Sequence, residues 1–176
     1  TMLDGHFEIK GLDSIGCDED IPETKPTIEG NALQKARYVV ENYGVNCFAE
    51  DTGLEIDVLD GEPGVYSARY AGPMKDPEAN IQLVLSNMKG IEEEERGAQF
   101  KTVIALILDG EEHTFDGIIR GKIRHNKRGM GGFGYDPIFE PEGYNLTFAQ
   151  MSTEEKNKIS HRGRAVAKLK AFLSKL

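Results

Sequence analysis

The stretch Val45-Asn46-Cys47-Phe48-Ala49-Glu50-Asp51-Thr52-Gly53-Leu54-Glu55-Ile56-Asp57-Val58 decides the fold. Val45 to Ala49 is apolar enough for a short strand, and it runs straight into Glu50-Asp51-Thr52-Gly53. Leu54, Ile56 and Val58 then alternate with Glu55 and Asp57, the period-two pattern of a half-buried strand. The segment before it has the other period. Ile28, Ala32, Ala36, Val39, Val40 and Tyr43 share one face at helical spacing, which predicts a helix over 28–43 stopped by Gly44.

Outward from this helix–strand unit the same two periods recur. Phe7 to Ile9 reads as a short strand, and Gly11 to Thr27, acidic and broken by Pro22 and Pro26, as an ordered loop. Gly61-Glu62-Pro63-Gly64 is a turn. Asp76-Pro77 opens a second helix whose Ile81, Val84, Leu85 and Met88 carry it to about Lys89. Glu92 to Glu95 follows in solvent. Phe100 to Leu108 is a β-branched strand, Asp109-Gly110 turns the chain, and His113 to Arg124 returns. Pro137 to Phe139 is a short strand or loop. Ser152-Thr153-Glu154-Glu155 matches a capping box, and Ser160 caps a last helix with Ala165, Val166, Leu169, Phe172, Leu173 and Leu176 on one stripe. The expectation is an α/β fold: a mixed, twisted sheet with helices packed against it.

Composition narrows the function. The 176 residues are 39% hydrophobic and 29% charged, enough to bury one core. Cys17 and Cys47 form no CxxC pair, so a disulfide scaffold or structural zinc site is poorly supported and a reducing cytoplasm fits. No apolar run reaches membrane-spanning length, and Thr1-Met2-Leu3-Asp4 shows no secretory signal. The net charge of −9 argues against a nucleic-acid binder. The charge is uneven: residues 1–88 hold 6 basic and 17 acidic side chains, residues 89–176 hold 15 and 13. Such a split suits a small polyanion held by a metal and a local basic cluster, or simply an uneven solvated surface.

Four constellations could carry chemistry. Glu23, Glu50 and Asp51 offer oxygen ligands to a hard cation such as Mg2+, or cap a turn. Lys35, at the rim of the first helix's apolar face, is a point charge for a phosphate or a lysine snorkelling to water. Gly131-Gly132-Phe133-Gly134-Tyr135-Asp136-Pro137 combines close backbone approach with a ring that could stack on a base and a carboxylate that could accept from a ring N–H. It is equally the composition of a tight turn with Phe133 in the core. Ser160-His161-Arg162, with Lys156 upstream, puts basic residues in a helix's first turn, where they cost about 0.3–1 kcal/mol relative to acids. That conflict reads as a receptor for an anion or carbonyl oxygen, or as salt bridges to the acidic half.

Together these segments resemble the inosine triphosphate pyrophosphatase family. The matching stretches are Asp20-Ile21-Pro22-Glu23-Thr24, Glu29 to Ala36, Ala49 to Leu54, Gly61 to Tyr70, Gly131 to Phe139, Glu155-Lys156-Asn157 and Ser160 to Gly163, in the family's order and over nearly the whole chain. The resemblance implies one domain over 1–176, elongated, with a mixed sheet and two lobes around a central cleft, usually in a homodimer. It implies Mg2+-dependent hydrolysis of ITP, dITP and XTP to monophosphate and pyrophosphate. Carried over by position, Glu23 and Asp51 would be metal-associated, Asp51 would also be the general base, and Lys35 would bind the phosphates. Thr52, standing where the family often has serine, would touch substrate. Phe133, Gly134, Tyr135 and Asp136 would form the base pocket, with Phe133 stacking, and Lys156, His161 and Arg162 would complete purine recognition.

Two departures stand out. Family members begin with a strand, a phosphate loop containing a lysine, and a helix; Thr1-Met2-Leu3 resembles that helix's end, so the expectation is a domain lacking the N-terminal strand and phosphate loop. Glu50 replaces the aspartate common there. The competing expectations are a house-cleaning pyrophosphatase for modified pyrimidine nucleotides and a nucleotide-binding module without hydrolysis.

Overall fold

A computed structural model describes residues 2–3 and 7–176 of the chain. Short strands β1 (Met2–Leu3) and β2 (Phe7–Glu8) pair antiparallel. The acidic segment that follows is one 3₁₀ turn, Leu12–Ile15, and otherwise irregular. Helix α1 spans Ile28–Tyr43, as its periodicity predicts. Thr27 caps it by accepting from the Gly30 N–H, and Gly44 ends it in the left-handed conformation at φ 65°.

Strand β3 runs Cys47–Ile56 without a break. The predicted interruption at Glu50–Gly53 is absent, because every residue of that polar run pairs with β4 (Gly97–Leu108): Glu50 with Ile104, Asp51 with Val103, Thr52 with Thr102. The carboxylates therefore sit mid-strand rather than beyond a strand's end. Hairpin partner β5 (Glu111–Ile123) returns along β4, and β6 (Phe139–Pro141) adds to β5. The sheet order is β3-β4-β5-β6, and every pair among the described residues is antiparallel, where a mixed sheet was expected. The α/β class itself stands: α2 (Pro77–Asn87), α3 (Thr153–Ile159) and α4 (His161–Leu173) complete it.

Strand alternation sorts the core into three clusters. Val103, Ala105 and Ile107 face α1 through Ile28, Ala32 and Ala36. Ile104 and Leu106 face α4 through Ala165, Leu169 and Leu173. One half of the sheet is thus sandwiched between α1 and α4. At the other half Leu54, Ile56, Ala98 and Phe100 pack with α2 and with Tyr135, Phe139 and Phe148, making a second lobe. Arg96, almost wholly buried, holds that lobe's base by donating to the carbonyls of Met88, Ile91, Ile123 and Arg124. The short Glu93–Glu95 turn is less free than its sequence suggests, since Glu93 pairs with Lys122, Arg124 and His125.

Candidate active site

The acidic loop is fastened to α1 before it does anything else. Buried Asn31 accepts from the Lys25 N–H at 2.8 Å, and Gln34 exchanges hydrogen bonds with Thr24. These clips bring Glu23 over α1, where Lys35 projects from the rim of the apolar face. The Lys35 ammonium donates to Glu23 Oε1 at 2.7 Å and to Asp51 Oδ1 at 3.0 Å. Lys35 is therefore not a surface lysine: its side chain is only 15% exposed. Burial pushes the Asp51 carboxyl above the usual aspartate range, with nearby Glu23 adding to the rise and Lys35 opposing it. Arg69 approaches Glu23 at 3.7 Å and stands over the Tyr66 ring.

Glu23 and Asp51 are pure oxygen donors, the set that Mg2+ takes. Among the described residues no third carboxylate, histidine or cysteine joins them as a metal cluster. Mg2+ is usually held by one or two carboxylates plus substrate phosphates and water, so the pair fits an ion arriving with a polyphosphate. Without one, the lysine ammonium bridges the two acids.

The other group lies on the opposite face of β3, as alternation demands of Asp51 and Thr52. Thr52, Thr102 and Gly117 form a cross-strand row of small residues, with Thr52 and Thr102 hydroxyls 2.6 Å apart. The start of α4 settles on this row: a Cβ on Gly117 would stand 1.9 Å from the His161 carbonyl oxygen. Ser160 caps α4 by accepting from the Gly163 N–H, and Gly163 lets the α3–α4 turn close against Asn157. His161 stacks on Phe100, ring centroids 4.6 Å apart at 17°. Burial, with the Arg162 and Lys156 charges nearby, pushes its imidazole down to about 3, so it is neutral at ordinary pH. Its Nδ1 is buried with no partner among the described residues.

The glycine-rich loop folds around Asp136. One carboxylate oxygen, Oδ2, accepts from the Phe133 N–H at 2.9 Å and from the Lys156 ammonium. Gly132, at φ 70°, is required because any Cβ would strike that oxygen. Phe133 is held out at 60% exposure, with the Lys156 ammonium 4.4 Å and the Arg162 guanidinium 5.5 Å from its ring centroid. The core placement open to it on sequence is thus not adopted. Tyr135 is instead the buried aromatic, and its hydroxyl donates to the Ser67 carbonyl at 2.7 Å.

A cavity of about 310 Å³ joins these pieces, walled by Thr52, Phe100, Phe133, Asp136, His161 and Arg162, with Gly134, Tyr135 and Lys75 also on its surface. Asp51, Lys35 and Glu23 are not on its wall. Asp51 is one strand position from Thr52 and faces the other way, and Lys35 and Glu23 gather around it on the α1 face. The predicted residues thus gather in two groups, Glu23, Lys35 and Asp51 on the α1 face and the rest on the α4 face. Sequence reasoning missed Ser67, Asn80 and Phe100. Ser67 accepts from the Leu54 N–H, and Asn80 holds the Ala71 N–H and the Ser67 and Ala68 carbonyls. The only sequence signal for Asn80 is an amide one residue from the apolar Ile81 stripe; Phe100 gave none beyond strand alternation.

A ring held under two cations beside a cavity is the geometry of a site for a small, flat, anionic ligand. More narrowly, the chain belongs to the Ham1 family, whose model matches residues 1–172. It is 54% identical over 172 residues to the dITP/XTP pyrophosphatase of Flavobacterium psychrophilum, covering 98% of this chain and 90% of the relative. The protein of the same name from Porphyromonas gingivalis is 55% identical, with 98% and 88% covered. The Staphylococcus aureus Ham1 protein superposes with a TM-score of 0.90 at 42% identity, over 95% of this chain and 86% of that one.

Proposed function

We propose that this protein hydrolyses ITP, dITP and XTP to the monophosphate and pyrophosphate, clearing deaminated purines from the nucleotide pool. The carrying observation is the Phe133 ring held out under two cations beside a cavity walled by Thr52, the residue next in β3 to Asp51 of the Lys35–Asp51 cluster. The names of the relatives at 54% and 55% identity support the same chemistry.

On this reading the purine stacks on Phe133, and the triphosphate passes β3 beside Thr52 to the α1 face. Lys35 leaves its carboxylate partners for phosphate oxygens. Glu23 and Asp51 would hold Mg2+, which offsets phosphate charge when bound. Asp51 takes the proton of a water attacking the α-phosphorus in line, and pyrophosphate leaves without a covalent intermediate. Thr52 contacts the substrate from the pocket side.

Base choice follows from donors and acceptors. Hypoxanthine and xanthine carry a carbonyl oxygen at C6, and adenine an amino donor. Arg162, on the cavity wall, offers only donors, so the adenine amino group would leave them unpaired. His161, being neutral, supplies one N–H rather than a charge. Homodimerisation and a cytoplasmic location belong to the same proposal; no helix among the described residues is long and apolar enough to cross a membrane.

The test is a product assay with ITP, XTP and ATP plus Mg2+. Pyrophosphate and IMP in equal amounts, with ATP much slower, is the expected result. Orthophosphate with IDP would place cleavage at the γ position and overturn the proposal. ITP binding without turnover would leave only a nucleotide-binding module.

A further inference from the structure

Glu50, grouped on sequence with Glu23 and Asp51 as a cation ligand, is turned away from both by the alternation of β3. Its side chain lies on the other face of β3, level with Ile104 and on the side of α4. There it meets Arg162 in a two-pronged ion pair: Nε to Oε2 at 3.0 Å and Nη2 to Oε1 at 2.7 Å. The two residues are 112 positions apart in sequence. We propose that Glu50 is a positioning residue that locks the Arg162 guanidinium over Phe133 and so sets the enzyme's choice of base. The inference rests on the proposed pyrophosphatase reading and deepens it.

Three observations carry it. Two contacts to one carboxylate, the Nε hydrogen bond and the close Nη2–Oε1 approach, hold the guanidinium at two of its nitrogens rather than one. The hydrogen bond takes the Nε–H and leaves other guanidinium donors for the cavity that Arg162 helps to wall. Second, the other carboxylate at this pocket, Asp136, is already occupied by Lys156 and the Phe133 N–H. Among the described residues Glu50 is the only carboxylate that holds Arg162. Third, both side chains are more than a third exposed, 39% and 38%. Exposed ion pairs add little to stability. The pair therefore does little for the fold, while it aims a pocket-lining side chain.

The same contact resolves the awkward basic residue in the first turn of α4. Arg162 alone opposes the positive end of the helix, and the Glu50 carboxylate brings a compensating negative charge to that end. Because Glu50, Asp51 and Thr52 are consecutive in β3, the strand that presents the proposed base also fixes the base-reading arginine. A shift of β3 moves both.

The experiment is a double-mutant cycle on the full chain, reading kcat and KM for ITP and ATP with Mg2+. Glu50→Gln is expected to lower the ITP-over-ATP ratio of kcat/KM about tenfold or more, mainly through KM for ITP, with thermal unfolding unchanged. Arg162→Ala should lower the ratio further, and adding Glu50→Gln to it should change nothing more. Glu50→Asp should restore part of the ratio, since it keeps one prong. Additive effects, or a Glu50→Gln defect equal for ITP and ATP and relieved by raising Mg2+, would make Glu50 a metal or phosphate residue and overturn the proposal. An unchanged ratio in Glu50→Gln would overturn it equally. If the unmodified chain releases no pyrophosphate from either nucleotide, the function reading fails; fluorescence-detected IMP-versus-AMP binding in the same five proteins then still scores the positioning role.

Discussion

At the scale of single residues, Asp51 carries the heaviest assignment. It is largely buried, it shares the Lys35 ammonium with Glu23, and its carboxyl is held above the usual range by burial. Asp51→Asn keeps the shape and one hydrogen-bonding oxygen for Lys35 but cannot accept a proton. Turnover should fall by several powers of ten while the protein still unfolds cooperatively, since Glu23 continues to partner Lys35. Pyrophosphate release at saturating ITP, paired with a thermal melt, checks both halves. Near-normal turnover would remove Asp51 from the base role. Individual side chains were unevenly legible in the sequence. Lys35 could be placed on the rim of its helix because the periodicity of α1 is strong, but its two acidic partners lie 12 and 16 residues away and nothing local links them. The Arg162–Glu50 pair is less legible still, because a contact across 112 residues leaves no trace in spacing.

At the scale of elements, helices were read well and β3 badly. Helix α1 and the cap of α3 are local structures, dictated by periodicity and by Ser152 and Glu155 bonding reciprocally. A polar run such as Glu50–Gly53 looks like a loop because its side chains have no apolar stripe, yet the hydrogen bonds that keep it extended come from β4. Burial in β4 likewise depends on helices far along the chain. The seat of α4 shows how tightly such elements are matched. Gly117 lies in β5 beneath the first turn of α4, and a Cβ there would be 1.9 Å from the His161 oxygen and 2.6 Å from the Ala165 nitrogen, both backbone atoms. Gly117→Ala must lift the helix. It should destabilise the protein by about 1–3 kcal/mol and reduce ITP turnover, because His161 and Arg162 ride on the displaced turn. Urea denaturation gives the first effect and pyrophosphate release the second. An unchanged urea midpoint would mean that α4 does not rest on β5 at this point.

At the scale of the whole molecule, the pocket is built where two lobes meet, and its floor is also structural. His161 is only 3% exposed, packed on Phe100 and near Phe148, and therefore belongs to the core as much as to the site. That double role makes global stability depend on pH. The unfolded chain protonates this histidine near 6.5, whereas the folded chain keeps it neutral down to about 3. Between those values the unfolded state binds the extra proton, so the His161 contribution is fully present above pH 6.5 and is lost as pH falls toward 3. Over the step from pH 7 to pH 5 the loss amounts to about 2 kcal/mol. Carboxylates held below their ordinary values, such as Asp57 beside Arg120 and Glu93 beside Lys122, release their share of stability only at lower pH, outside this interval. Urea unfolding at pH 7, 6 and 5 should thus show a steady decline, and His161→Phe, which retains the stack on Phe100 and has no proton to bind, should flatten it. If the variant declined as steeply as the unmodified protein, the imidazole would have to be protonated in the folded state, with Arg162 and Lys156 displaced from around it.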